Sequence, residues 1–532
     1  MLVKGILNRL KRLSVAQFFQ IAWFLTALVM FLFVKVGVWR IVICSVWGVV
    51  ALGVACRSQS ALHNILAAPL NWRKGVIAAM VAVIVAACCV SPMGDLSLWN
   101  GEDPGHRNQY ELMAEAILDG KLYLEYGGED ALAALDNPYD PDARAEAGIS
   151  YQWDHAFYDG HYYMYFGVAP VFLAFLPYRV ITGEPLTTYH ATQAFVVMFV
   201  FGIFALFYLL SKLFFKKLPF AVYLALSVAF SVMSVWYSVA EPALYCTAIT
   251  AAIALEVWSL FFFIKAVWGT KKENLQILYA AIGALFGALV FGCRPPIALA
   301  NLLVIPMLIV FLRQHKFSFK LLFKLVLAAL PYIIVAAALM LYNYARFDDP
   351  FEFGQAYQLT VADQSQYDFT LDSEMVLRIV NDTAKNFFGF SDVTASFPFL
   401  SHGGVFFNFP ILLLSAVLLK SSVRKNLKQE KLSWVVYGLI AASLLITVMD
   451  IIWTPYLLER YRMDIYFLVG ILCFICVGAL HNVCDSKKRA VIHTLVLFLS
   501  VLTVVSSYLF YMREVEAYYP DVVKDAAQAL FS

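Results

Sequence analysis

The chain has 532 residues, of which 62% are hydrophobic and 14% charged, with a formal net charge of +2. Apolar runs of about 20 residues recur along it and exclude a soluble domain. They are too continuous for the alternating strands of an outer-membrane barrel, and hydrocarbon cannot satisfy open sheet edges. The expected fold class is an all-α polytopic membrane protein in contact with a lipid bilayer, and nucleic acid is not expected as a partner.

In chain order, about 13 transmembrane helices are predicted, over residues 18–34, 41–55, 76–90, 191–210, 221–239, 244–264, 275–291, 297–312, 321–341, 406–419, 434–451, 465–480 and 491–511. No small-residue cleavage site follows the first run, so it is read as a helix and not a leader. Lys4, Arg9, Lys11 and Arg12 open the chain, and further basic clusters follow at Arg73-Lys74, Lys216-Lys217, Lys271-Lys272, 313–324, 424–431 and 487–489. The positive-inside rule places these on the cytoplasmic side, with the N-terminus inside and the tail outside. Lys35 and Arg40 depart from the pattern and are read as snorkelling residues. The expected location is the cell membrane, multi-pass, with the large loops extracytoplasmic.

Five units follow: helices 1–3 over 1–93, a first large outer loop over 94–187, helices 4–9 over 188–341, a second outer loop over 342–405, and helices 10–13 with the tail over 406–532. Loops this long are uncommon as mere connectors. Both are rich in Tyr, Phe and Trp, unlike disordered segments, so folding on the membrane surface is expected. Residues 94–184 hold sixteen Asp and Glu against four Lys and Arg. Within them, 110–122 places Met113, Ala114, Ile117 and Leu118 on one helical face, with Gly120 as its stop. This segment reads as an interfacial amphipathic helix. Residues 153–166 alternate aromatics around Asp159-Gly160, a dipeptide suited to a type I′ turn, so a β-hairpin is expected. None of the nine cysteines falls in the first loop, and neither a disulfide framework nor a zinc site is indicated; Cys473 and Cys476 read as packing residues within a helix.

The acidic residues after an early helix, then Tyr110-Glu111 and the short helix ending Leu118-Asp119-Gly120-Lys121-Leu122-Tyr123, resemble the first periplasmic loop of GT-C polytopic glycosyltransferases. The similarity is to the branch of protein O-mannosyltransferases and lipid A aminoarabinose transferases. The run from Tyr162 through Phe166 and Gly167 to Pro170 resembles the loop-exit segment of bacterial members. Gly292-Cys293-Arg294-Pro295-Pro296 and Glu459-Arg460-Tyr461-Arg462-Met463-Asp464 look like their mid-chain and late basic motifs. The resemblance implies a GT-C-like fold and transfer of a sugar from a polyprenyl-phosphate-linked donor, with a loop carboxylate at the reacting centre. One departure stands out. The family places an Asp-Glu pair about one helical turn before the Tyr, whereas His106-Arg107 stand there in this chain and Glu102-Asp103 lie further upstream.

Sugar transfer to a hydroxyl needs a base for the acceptor proton and cations for the departing phosphate. Asp103 or Glu102 is expected to supply the base. Arg294, Arg460 and Arg462 form a candidate phosphate clamp, because guanidinium matches phosphate oxygens with paired donors. Tyr461 would bond the phosphate or pack the prenyl chain. His106, Tyr110, Asp154 and His155 are further substrate-binding candidates. No cofactor is specified, though Glu102, Asp103 and Asp154 could offer hard oxygen ligands to a divalent cation. Each assignment has a structural alternative: solvated or turn-forming roles for Glu102 and Asp103, an interfacial role for His106, headgroup anchoring or pairing with Glu459 and Asp464 for the arginines, and hydrogen-bonding roles for Asp154 and His155.

The function expected is an integral-membrane glycosyltransferase, inverting at the sugar and acting on a cell-envelope acceptor that is protein, glycan or lipid. The alternatives are a transporter or flippase of lipid-linked glycans and a non-catalytic envelope assembly protein. A transporter should carry ionisable residues deep in its helices; here they are sparse, Glu241 being the main exception.

Overall fold

The computed structural model describes residues 67–91, 108–242, 244–366, 370–454 and 457–531. The predicted helices at 18–34 and 41–55 lie outside them. Among the described residues ten helices are long and apolar enough to cross a membrane. In chain order the elements are α1 (Trp72–Val90), α2 (Gln109–Leu118), β1 (His155–Tyr158), β2 (His161–Met164), α3 (Thr188–Leu213), α4 (Phe220–Ala240), α5 (Leu244–Ile264), α6 (Glu273–Phe291), α7 (Pro295–Gln314), α8 (Phe319–Phe347), α9 (Ser373–Phe388), α10 (Ser433–Trp453), α11 (Glu459–Val483) and α12 (Lys488–Ala517). All but α2 and α9 among these helices are the membrane-crossing set.

The run at 406–419 is shorter than a spanning α-helix. It forms one turn, Val405–Asn408, and then a 3₁₀ helix, Pro410–Leu419. A 3₁₀ helix rises about 2.0 Å per residue against 1.5 Å for an α-helix, so its ten residues cover roughly 20 Å. It runs beside α11: Asn408 Nδ2 donates to Tyr466 Oη at 3.0 Å, and Cys473 Sγ lies 3.3 Å from Ile411 O.

Helix α11 is enclosed on all sides, whereas α8 lies at the surface of the bundle, with Phe323, Leu327, Ile333, Ile334 and Leu341 exposed. Lipid tails are as apolar as leucine, so association within the bundle rests on close packing and polar links. Short connections gather at one end, where Trp268 packs on Phe214 and Asn482 Nδ2 reaches Phe214 O at 3.2 Å. The two long segments lie at the other end.

Those segments fold together. Strands β1 and β2 pair antiparallel with Tyr158 opposite His161. That register leaves Asp159 and Gly160 in the turn with φ of 47° and 74°, the two positive angles of a type I′ hairpin. The second segment pairs with β1's free edge: Phe157 N donates to Tyr357 O at 2.9 Å and Leu359 N to His155 O at 2.9 Å. Arg144, 1% exposed, clasps both through Pro138 O and Thr360 O, each at 2.6 Å. Helix α2 ends at Gly120, φ 75°, with Lys121 N bonded to Ala116 O and Gly120 N to Ile117 O, the paired bonds of a Schellman cap. Its predicted apolar face is not uniformly free. Met113 and Ala114 are buried, together with Tyr110, while Leu118 is exposed.

Candidate functional site

A cavity of about 430 Å³ lies where the two long folded segments meet the helix bundle. Stretches far apart in sequence line it: Tyr165 to Val168 after the hairpin, Gly292 to Pro296 from the end of α6 into α7, the end of α8 at Asn343 and Arg346, the second long segment at Gln355 and Gln358, the end of α10 at Trp453, and the start of α11 at Arg460 and Tyr461. The first two meet backbone to backbone. Ala169 N donates to Gly292 O at 2.8 Å, and a Cβ on Gly167 would fall 2.3 Å from Gly292 O, so only glycine fits. Pro295 begins α7 at the position where a missing N–H costs nothing, with Arg294 as the extended residue before it.

Asp154 is the carboxylate of the first loop that lines this cavity. It is 7% exposed, with φ 54°. Its Oδ1 accepts from Gln358 Nε2 at 2.9 Å, and its Oδ2 accepts from Tyr245 Oη. The Arg460 guanidinium lies 4.1 Å over the Tyr245 ring and 5.4 Å over Tyr461. A continuous row therefore runs Gln358, Asp154, Tyr245, Arg460. Among the described residues Arg460 has no carboxylate within ion-pair distance, and two ring faces lie against its guanidinium.

Arg294 is placed differently. Its Nε lies 2.6 Å from Asp464 Oδ2 and its Nη2 4.0 Å from Asp450 Oδ1. Burial works against this charge, but the two carboxylates outweigh it and raise the guanidinium pKa. Arg294 lines the cavity already neutralised. Arg462, two residues beyond Arg460 and so on the opposite face of α11, turns away to pair with Glu459 and donates Nε to Asn386 Oδ1 at 3.0 Å. The predicted clamp of three arginines is thus divided, with Arg294 and Arg460 at the cavity and Arg462 outside its lining.

Sequence reasoning passed over Arg346. It sits near the end of α8, 5% exposed, lining the same cavity, and its Nη1 and Nη2 donate to Met164 O at 2.9 Å and Asn343 Oδ1 at 2.8 Å. Its Nε is buried without a hydrogen-bond partner, and no acid pairs with it among the described residues. The signal was present in the sequence as a cation at the end of an otherwise apolar run.

His155 does not line the cavity. Its Nε2 lies 2.8 Å from Tyr126 Oη, and its Nδ1 lies 3.2 Å from Gln109 Nε2 and 2.9 Å from Trp153 O. Tyr110 is fully buried, stacked on Phe175 at 5.3 Å, with its hydroxyl unpartnered; burial raises its pKa. Glu111, from the same motif, accepts from Thr188 N at 2.7 Å and so caps the start of α3. Tyr165 lines the cavity, where burial pushes its hydroxyl pKa up to about 12. Glu102, Asp103 and His106 lie outside the described residues. Among the described residues no three His, Cys, Asp or Glu side chains group to hold a metal ion.

Glu241 sits at the C-terminal cap of α4. The carboxyl that lies deep in a helix is Glu256 of α5, fully buried, with both oxygens unpartnered. Ionisable groups within the bundle are therefore less sparse than the sequence reading held.

No protein-family model, no curated protein and no solved structure matches this chain.

Proposed function

We propose that this multi-pass membrane protein is a glycosyltransferase that moves a sugar from a polyprenyl-phosphate-linked donor to a hydroxyl of a cell-envelope acceptor, at the outer face of the cell membrane. The observation that carries the reading is the composition of the cavity: beside the paired Arg294 and Asp450, it is lined by a hydrogen-bonded carboxylate, Asp154, and by two arginines, Arg460 and Arg346, that have no ion-pair partner among the described residues. A cavity with uncompensated guanidinium charge suits an anion. Its aromatic lining, and the exposed helix α8 along one side, suit a ligand whose other end is a lipid.

In this reading Asp154 takes the proton from the acceptor hydroxyl. The acceptor oxygen bonds to the sugar's anomeric carbon as the bond from that carbon to the phosphate oxygen breaks. The electron pair leaves with the prenyl phosphate, whose added charge meets Arg460 and Arg346. Direct displacement inverts the anomeric centre. Glu102 and Asp103 compete for the role of base, as the family resemblance implies.

The test is sugar transfer by purified protein from radiolabelled polyprenyl-phosphate sugars. Asp154→Asn, Glu102→Gln and Asp103→Asn are compared with wild type, and donor binding is measured in parallel. Asp154→Asn should lower transfer at least 100-fold, the usual scale for loss of a general base, while donor binding persists. Unchanged transfer would remove Asp154 from the mechanism, and loss in either other variant alone would move the base there.

One observation favours a second reading, transport of a lipid-linked glycan: Glu256 is the kind of intramembrane carboxyl that proton-coupled carriers use. Glycolipid translocation in vesicles that Glu256→Gln abolishes, with no sugar transfer by wild type, would establish that reading in place of the first.

A further inference from the structure

Helix α9, in the second outer segment, carries Val376, Leu377, Val380, Ala384 and Phe388 on one exposed face, at the spacing of a continuous stripe. Leu377, Val380 and Phe388 are 69%, 62% and 60% exposed. Leaving such side chains in water forfeits the gain of burying apolar surface, so the stripe calls for a cover. The opposite face is fixed to the bundle. Arg378 donates to Ile451 O at 2.9 Å and to Thr454 O, and Asn386 Nδ2 lies 3.3 Å from Thr447 Oγ1.

These anchors set the depth of the helix. Residue 378 touches α10 at its end, whereas residue 386 touches it at Thr447, nearly two turns inside the apolar span Ser433–Trp453. Eight residues of α9 advance about 12 Å while its contact moves roughly 6–10 Å along α10, so the helix runs obliquely inward beside it. Its C-terminal half therefore occupies the same depth as apolar residues of a membrane-crossing helix. Leu444 and Leu445 of α10, near the Thr447 contact in sequence, are exposed as well.

We infer that α9 is embedded obliquely in the outer leaflet, with the stripe from Val376 to Phe388 against lipid acyl chains and Glu374 and Lys385 toward the headgroups. Amphipathic helices bind interfaces by this division of faces. The consequence for the cavity is direct. Thr454, whose carbonyl Arg378 holds, lines the cavity beside Trp453. The outer leaflet thus bears on the cavity rim through one helix, a placement that does not depend on which ligand the cavity takes.

The test is site-specific photocrosslinking of the full-length protein in vesicles of phosphatidylethanolamine and phosphatidylglycerol containing an alkyne-tagged phospholipid. p-Benzoylphenylalanine is placed at Leu377, Val380 or Ala384, at Glu374 for comparison, and at Ile334 of α8 as the lipid-facing reference. Label at 377, 380 and 384 at least five times that at 374, and comparable to 334, is the expected result. Equal label at 374 and 377, crosslinks from 377 to a second protein, or absence of label at 377 and 380 while 334 is labelled would each overturn the inference. Quenching of Leu377→Trp fluorescence by brominated acyl chains reads the same contact without a crosslinker; an unquenched increment would count equally against it.

Discussion

Arg460 and Arg462 stand two residues apart at the start of α11 and face opposite ways. Arg460 enters the cavity and rests on the rings of Tyr245 and Tyr461, with no acid against it among the described residues. Arg462 belongs to a closed joint with Glu459 and Asn386, and Glu459 in turn approaches His402 Nδ1, 3.8 Å away, whose Nε2 lies 2.6 Å from Glu514. The same guanidinium therefore does two jobs. Paired, it ties the second long segment and α12 to α11; unpaired, it leaves positive charge for something else to meet. Arg294 is an intermediate case, lining the cavity yet already neutralised by Asp464.

The comparison can be broken experimentally. The largest effect is expected from Arg294→Ala, which leaves Asp464 and Asp450 buried without their cation and should cost about 3–5 kcal/mol of stability. Thermal unfolding in detergent reads it, and an unchanged midpoint would show that the pair is dispensable. Next comes the pair of variants at the start of α11. Arg460→Ala should reduce sugar transfer about 100-fold, the scale of losing one transition-state donor, with an unaltered unfolding midpoint. Arg462→Ala should do the reverse, losing about 2 kcal/mol of stability through its charged hydrogen bonds while transfer by the folded fraction stays near wild type. Equal loss of transfer in both would erase the distinction drawn between them.

Smaller effects sharpen the picture away from the arginines. Gly167→Ala puts a methyl against Gly292 O and should cost about 1–3 kcal/mol, as overpacking does, and widen the join between the two segments lining the cavity. The smallest is a pH effect at Glu111. Burial raises its pKa, although its bonds from Thr188 oppose the rise. Because the folded pKa lies above the unfolded one, the native state keeps a proton that the unfolded chain has released. That contribution to stability is complete below the unfolded pKa and is lost as pH rises through the folded one. Glu111→Gln should flatten this slope in unfolding midpoints measured across the acid range; an identical slope in wild type and variant would assign it elsewhere.

Much of the architecture was legible because its causes are local. An apolar run long enough to cross a bilayer has few alternatives to a helix, so the segments from 76–90 to 321–341 and the last three reappear as α1, α3 to α8 and α10 to α12. Asp159-Gly160 and Gly120 marked backbone conformations that few other residues favour, and the hairpin and helix stop appear there. The run at 406–419 was harder, since hydropathy counts residues whereas a 3₁₀ segment covers its distance with fewer of them. The site was legible only in part. Asp154, Arg294, Arg460 and Tyr461 were singled out and line one cavity, while His155, Tyr110 and Arg462 do not, and Arg346 was not seen as a candidate.

The sequence by itself determined the class of the fold, the positions of most spans and the residue types available at their ends, because hydropathy and turn chemistry act over a few residues. The tertiary structure alone decided which arginine is paired. Asp464 and Asp450 reach Arg294 across separations of 170 and 156 residues, and whether a charge is spent inside the protein or left facing a cavity is fixed only when those helices pack.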